Sequence, residues 1–186
     1  MSAKAKSGSS DPTCVIVLMG VSGSGKSTAG KRLSAMLDWP FRDADSFHPQ
    51  ANIDKMSRGI PLADADRAPW LAAIAAWIAE RVRSGEPGIV SCSALKRVYR
   101  RTLLDGQSGV GLVYLQGSFG LISDRMSRRK GHFMPPDLLK SQFETLQEPA
   151  PDEGALVVSV RLSPKKIADM IVAGFGLTPS RRVTTP

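Results

Sequence analysis

Cys14-Val-Ile-Val-Leu-Met-Gly20-Val-Ser-Gly-Ser-Gly-Lys26-Ser27-Thr28 joins a wholly apolar run to a glycine-rich loop. The run is short and rich in β-branched residues, which reads as a buried strand. The loop has the spacing G-x-x-x-x-G-K-[ST], and a helical pattern follows from Lys26 to Leu37. Strand, loop and helix in that order build an anion site. Gly20, Gly23 and Gly25 let the backbone turn tightly, so that its N–H groups, with those of Val21, Ser22 and Ser24, meet phosphate oxygens. The helix start adds the positive end of its dipole. Lys26 can reach the β- and γ-phosphates, the Ser27 hydroxyl can ligate Mg²⁺, and Thr28 completes the motif. The pattern calls for a nucleoside triphosphate and Mg²⁺ and leaves the phosphate acceptor open.

Working outward, strand-like runs recur at 40–43, 88–92, 111–116 and 155–160, with helical patterns between them. Arg67 to Arg83 places Leu71, Ile74, Ile78 and Val82 on one face, with Pro69 in its first turn and Gly85 past its end. Further helices are expected at 95–104, 121–129, 136–146 and 164–173. Strands alternating with helices predict an α/β fold, a parallel five-stranded sheet with helices on both faces. One domain spanning 13–177 is expected, between a polar leader (1–12) and a polar tail (178–186).

Composition narrows the partners. No apolar stretch approaches the roughly 20 residues of a membrane helix, and the N-terminus has no signal-peptide pattern. Cys14 and Cys92 fall in the apolar runs and read as reduced core residues of a cytoplasmic protein. The net charge is +8, yet the one dense basic cluster, Arg125-Met-Ser-Arg-Arg-Lys130, has no interleaved aromatics for stacking bases. Small anions are therefore favoured over nucleic acid as partners.

A second constellation follows the second strand: Asp43-Ala-Asp45-Ser-Phe-His48-Pro, then Asn52-Ile-Asp-Lys55-Met. Asp43 and Asp45, two apart on a strand, would share a face beside the phosphate loop. One could hold Mg²⁺ through water while the other orients or deprotonates an acceptor hydroxyl. Many phosphate-loop ATPases carry an acid at the end of another core strand. Here 88–92 and 111–116 run into Ser93 and Gly117 instead, which suits a small-molecule kinase. His48 could contact a hydroxyl; Trp70 and Trp77 read as core. Residues 125–137 read as a lid, with Arg129 and Lys130 closing on the phosphates and Arg125 on adenine.

Gly20-Val-Ser-Gly-Ser-Gly-Lys-Ser27, His48-Pro with Asn52-Ile-x-Lys55-Met, Pro61-Leu-x-Asp64-x-Asp66-Arg67-x-Pro69-Trp70-Leu71, Cys92-Ser-Ala-Leu-Lys96-x-x-Tyr99-Arg100, Arg129-Lys-Gly-His-Phe133 and Gln142-Phe-Glu-Thr-Leu146 together resemble the gluconokinase signature. The resemblance runs from about residue 14 to 160. It departs mildly at Ala44, where many relatives have glycine. It implies a shikimate-kinase-like fold related to the nucleoside monophosphate kinases, with lid and acceptor-binding insertions. It also implies a homodimer, and transfer of the ATP γ-phosphate to the 6-hydroxyl of D-gluconate. With that acceptor, Asp45 would accept or orient the hydroxyl proton, Asp43 would support the metal shell, and Lys55, Arg58, Arg67, Lys96 and Arg100 are candidate cations for the carboxylate. A kinase for another hydroxylated acid, such as shikimate, and a nucleic-acid-dependent ATPase are the alternatives.

Overall fold

The computed structural model describes residues 12–58, 60, 62–128 and 136–180. The leader to residue 11, Arg129 and Lys130 with most of the expected lid, and the tail from residue 181 lie outside the described residues.

Five parallel strands form one sheet: β1 (Val15–Met19), β2 (Phe41–Asp43), β3 (Gly88–Ser91), β4 (Val110–Gln116) and β5 (Leu156–Ser159), in the order β2-β3-β1-β4-β5. Each falls on one of the five apolar runs. β1 is central and every residue of it is buried, which its lack of polar side chains permits. Its side chains alternate between two cores. Ile16 and Leu18 meet α1 (Lys26–Leu37) through Ala29 and Leu33, and α7 (Pro164–Gly174) through Ile167 and Ile171. Val15, Val17 and Met19 meet α3 (Asp64–Ser84) through Ile74 and Ile78, and α4 (Arg97–Leu104) through Leu103. From β1 the chain moves to β2 on one side, whereas from β4 it moves to β5 on the other. The connections part there, and the phosphate loop sits in the resulting crevice.

The remaining helices are α2 (Gln50–Ser57), α5 (Phe119–Ser127) and α6 (Pro136–Thr145). Helix α2 has no counterpart among the helical patterns of the sequence. Its one buried residue is Asn52, and its large apolar residues Ile53 and Met56 are exposed, so no amphipathic period exists to be read.

Two further expectations are corrected. Asp45 is not on the strand: β2 ends at Asp43, and Ala44–Phe47 forms a 3₁₀ turn capped by Asp43. A three-residue strand is too short to carry both carboxylates. Helix α3 starts at Asp64, three residues before the expected Arg67, which leaves Pro69 inside the helix rather than in its first turn. The Ala63 N–H donates to Asp66 Oδ2 at 2.9 Å, and Asp64 and Asp66 lie at the positive end of the dipole. That early start is stabilised by charge despite the N–H that Pro69 lacks.

β2 is positioned by contact with α1. Gly30 is buried mid-helix, and a β-carbon there would run into the Phe41 ring. The helix accepts about 1 kcal/mol of propensity loss for this approach. Gly30→Ala is expected to destabilise the fold by about 1–3 kcal/mol, because Phe41 must shift within a packed core. A denaturant titration measures this; unchanged stability would mean that the Phe41 ring moves freely.

Candidate functional site

The turn from β1 into α1 uses backbone conformations that only glycine adopts readily. Gly20, Gly23 and Gly25 have φ of 144°, 78° and 94°. Space is also restricted: a β-carbon on Gly20 would stand 2.9 Å from the Leu115 carbonyl oxygen, and one on Gly23 2.8 Å from the Met126 sulfur. Lys26 follows at the first position of α1. Its ammonium donates to the Gly20 and Val21 carbonyls at 2.9 and 3.1 Å. Burial pushes its pKa down, opposed by the nearby Cys92, Asp43 and Asp45. Burial likewise pushes the Cys92 thiol up to about 12, which leaves it protonated and inert.

Two contacts tie the loop to distant segments. The Ser27 hydroxyl donates to Asp43 Oδ2 at 2.8 Å, and Asp43 Oδ1 accepts the Asp45 N–H at 3.3 Å. The Ser22 N–H donates to Gln142 Oε1 at 2.7 Å, and Gln142 Nε2 donates back to the Ser22 hydroxyl at 3.0 Å. Sequence reasoning gave Gln142 no role. Its only signal was its place in the Gln142–Leu146 block.

A cavity of about 780 Å³ runs from Lys26 and Ser27, past Asp43 and Asp45, to His48, Arg67 and Lys96. The 3₁₀ turn thus brings both carboxylates to the cavity, although they do not share a strand face. Trp70 underlies it as core, as expected, and also as a support. Its indole N–H donates to the Ala44 carbonyl at 2.7 Å, and its ring stacks on His48 with centroids 4.6 Å apart and planes 9° from parallel. Burial lowers the His48 pKa, with Arg67 acting in the same sense and Asp45 against it. His48 is neutral at pH 7. The Asn52 amide donates to the Asp66 carbonyl at 2.8 Å and lies 3.4 Å from His48 Nδ1. With Nδ1 as acceptor, Nε2 carries the proton and donates.

The five candidate cations separate. Arg67 and Lys96 line the cavity. Both converge on Asp64, at 3.4 and 2.7 Å, and Tyr99 donates to the same carboxylate at 2.5 Å. Hydrogen bonds from Lys96 and Tyr99 hold the Asp64 pKa below its ordinary value. Lys55 pairs with Asp66 at 2.6 Å, and Arg58 donates to the Asp54 carbonyl; neither lines the cavity. Arg100 is taken out of reach. It is 1% exposed, with Nε and Nη2 on Glu153 at 2.6 and 2.8 Å and Nη1 on the Ala94 and Leu95 carbonyls. Ala94 lies in the left-handed region, at φ 45°, in the cavity wall. A buried guanidinium thus braces a strained turn beside the site.

On the other side of the loop, a cavity of about 290 Å³ lies between Gly25 and Thr28, Arg125 and Met126, and Leu162 and Pro164. Arg125 is held there by a hydrogen bond to the Val160 carbonyl at 2.5 Å. Leu162 and Pro164 had no sequence signal, because an apolar pocket wall looks like any loop entering a helix.

The shikimate kinase family matches residues 22–172. The chain is 44% identical over 160 residues to a gluconokinase of Gluconobacter oxydans, covering 86% of this chain and 90% of that one. It is 48% identical over 141 residues to the thermosensitive gluconokinase of Escherichia coli, covering 76% and 75%. Among solved structures, a gluconokinase from Sinorhizobium meliloti superposes with a TM-score of 0.76 at 46% identity, over 89% of this chain and 92% of that one. The shikimate kinase of Aquifex aeolicus, at 17% identity and a TM-score of 0.58 over 87% and 96%, shares the fold. On identity sustained over most of the chain, and on a phosphate loop that opens into a cavity lined by carboxylates and cations, the protein belongs to the gluconokinase family of ATP-dependent kinases.

Proposed function

We propose that the protein transfers the γ-phosphate of ATP to the 6-hydroxyl of D-gluconate, giving 6-phospho-D-gluconate and ADP. The observation that carries this reading is the continuous cavity with phosphate-binding groups at one end and cations at the other. A linear polyhydroxy acid suits it: the carboxylate against Arg67 and Lys96, the hydroxyls against His48 Nε2–H, and the far hydroxyl beside Asp45 and the phosphate loop. Adenine occupies the smaller cavity, with Arg125 on one wall.

Ser27 and Asp43 present oxygen donors joined by a 2.8 Å hydrogen bond beside the loop, a set that fits Mg²⁺. Bound there, Mg²⁺ would neutralise charge on the β- and γ-phosphates. The chain's own groups do the rest. Lys26 exchanges its carbonyl partners for phosphate oxygens, and the loop amides fix the γ-phosphate in line. Asp45 orients the acceptor hydroxyl and takes its proton as the new P–O bond forms. Arg129 and Lys130 are assigned to closing over the phosphates, which excludes water as a competing acceptor. A cytoplasmic homodimer is part of the same proposal, carried over from the resemblance to the gluconokinases. Among the described residues no helix is long and apolar enough to cross a membrane.

ADP release with gluconate, and none above background with shikimate or single-stranded DNA, is the direct test; release with shikimate alone would reassign the acceptor. Asp45→Asn is expected to lower turnover by ~10²–10⁴ with little change in ATP binding. Lys26→Ala should cost over ~100-fold in a folded protein. Near-normal turnover in either would remove that residue from the chemistry. Arg67→Ala and Lys96→Ala are expected to raise the KM for gluconate about ten- to a hundredfold while leaving that for ATP, as for a lost hydrogen bond to a charged group. Equal effects on both substrates would contradict the carboxylate assignment. An NMR titration of His48 should give a midpoint below the ordinary 6.5. The ring is then mostly neutral at pH 7 and gains its charge as the pH falls through that lowered midpoint. A midpoint above 6.5 would rule out the neutral donor.

A further inference from the structure

We propose that Ser91 is a metal-positioning residue, whose hydroxyl holds a water bound to the Mg²⁺ carried by Ser27 and Asp43. It stands where many phosphate-loop ATPases have an acid. The proposal rests on the metal reading given above and extends it to a buried hydroxyl without a hydrogen-bond partner among the described residues.

Ser91 is the last residue of β3 and is 1% exposed. Its Oγ is buried and has no hydrogen-bond partner among the described residues. A buried polar atom left in that state is costly, and in native proteins it calls for an ordered water or ion. The sheet register says where the hydroxyl acts. Ser91 lies opposite Leu18 on β1 and opposite Asp43 on β2. Residues opposite one another in a parallel pair project to the same face, here the face covered by α1. Leu18 offers no partner. Asp43 has one oxygen on the Ser27 hydroxyl and the other on the Asp45 N–H. Ser27, Asp43 and Ser91 line the same cavity.

The chemistry suits an indirect contact. A serine is shorter than an aspartate and leaves room for a water between itself and the ion. A neutral hydroxyl accepts a hydrogen from that water without adding charge beside Lys26, whose ammonium is already desolvated. The strand end without an acid is thus still equipped to orient the metal's water shell.

The test is Ser91→Ala, read by calorimetric titration of ADP with and without Mg²⁺ and by melting of the nucleotide-free protein. The expected result has three parts. The Mg²⁺ affinity of the ADP complex falls about tenfold. ADP affinity without metal stays the same. The melting temperature without nucleotide stays level or rises, because an unpartnered hydroxyl has been removed. Unchanged Mg²⁺ affinity overturns the proposal. An equal loss of metal-free ADP binding overturns it too, by assigning the hydroxyl to the phosphate loop or Lys26. A lowered melting temperature overturns it by making Ser91 a structural hydrogen bond. Asp43→Asn, titrated in parallel, separates the two levels. If it leaves Mg²⁺ affinity intact, the metal reading itself fails; if it weakens Mg²⁺ and Ser91→Ala does not, only the role of Ser91 fails.

Discussion

The turn between Met19 and Lys26 is the constraint from which the rest of the site is measured. Its glycines give it shape, but its neighbours give it a fixed position: the Leu115 carbonyl of β4 beneath Gly20, Met126 of α5 against Gly23, and Gln142 of α6 on Ser22. The loop therefore inherits the rigidity of the sheet and of two later helices. Anion binding by backbone amides depends on such preorganisation, since amides that must first be ordered lose much of what they gain.

The second organising principle is that the site's cations are held before any ligand arrives. Lys26 rests on carbonyls, and Arg67 and Lys96 share Asp64; outside the cavity, Lys55 takes Asp66 and Arg100 takes Glu153. The exposed pairs add little stability. What they do is keep long side chains in one geometry, so that an anion reaching Arg67 or Lys96 would replace an existing partner rather than order a free chain. Arg100 differs because it is buried. Its pair with Glu153 holds both its own charge and the strained Ala94 turn, and loss of either partner would leave a charge stranded in the interior.

The architecture was largely legible in the sequence. The five strand-like runs became five strands; β1 and β3 are buried along their whole length, while the edge strands β2 and β5 were legible from their short apolar stretches alone. The phosphate loop was legible for a similar reason: its glycines, Lys26 and Ser27 are adjacent in the chain, and local spacing fixes their chemistry. The acceptor side was legible only in part. Nothing in the order of residues says that Asp64 gathers Arg67, Lys96 and Tyr99, since the pairings span up to 35 positions. Arg100 looked like its neighbours in composition, and only burial separates it from them. The step from Asp43 into a 3₁₀ turn was hidden because a three-residue strand has too little periodicity to show its end. Ser91 carried no signal, because a small polar residue closing an apolar strand is unremarkable until its lack of a partner is seen.

The paired hydrogen bonds between Ser22 and Gln142 join positions 120 apart in a chain of 186. During synthesis, β1, the glycine turn and α1 emerge early, while the amide that fastens the turn emerges in the last quarter of the chain. β4 and Met126, which also hem the turn in, arrive late as well. A nascent chain thus displays the phosphate-binding motif long before it can hold the motif's shape, and competence to bind nucleotide comes only near the end of folding.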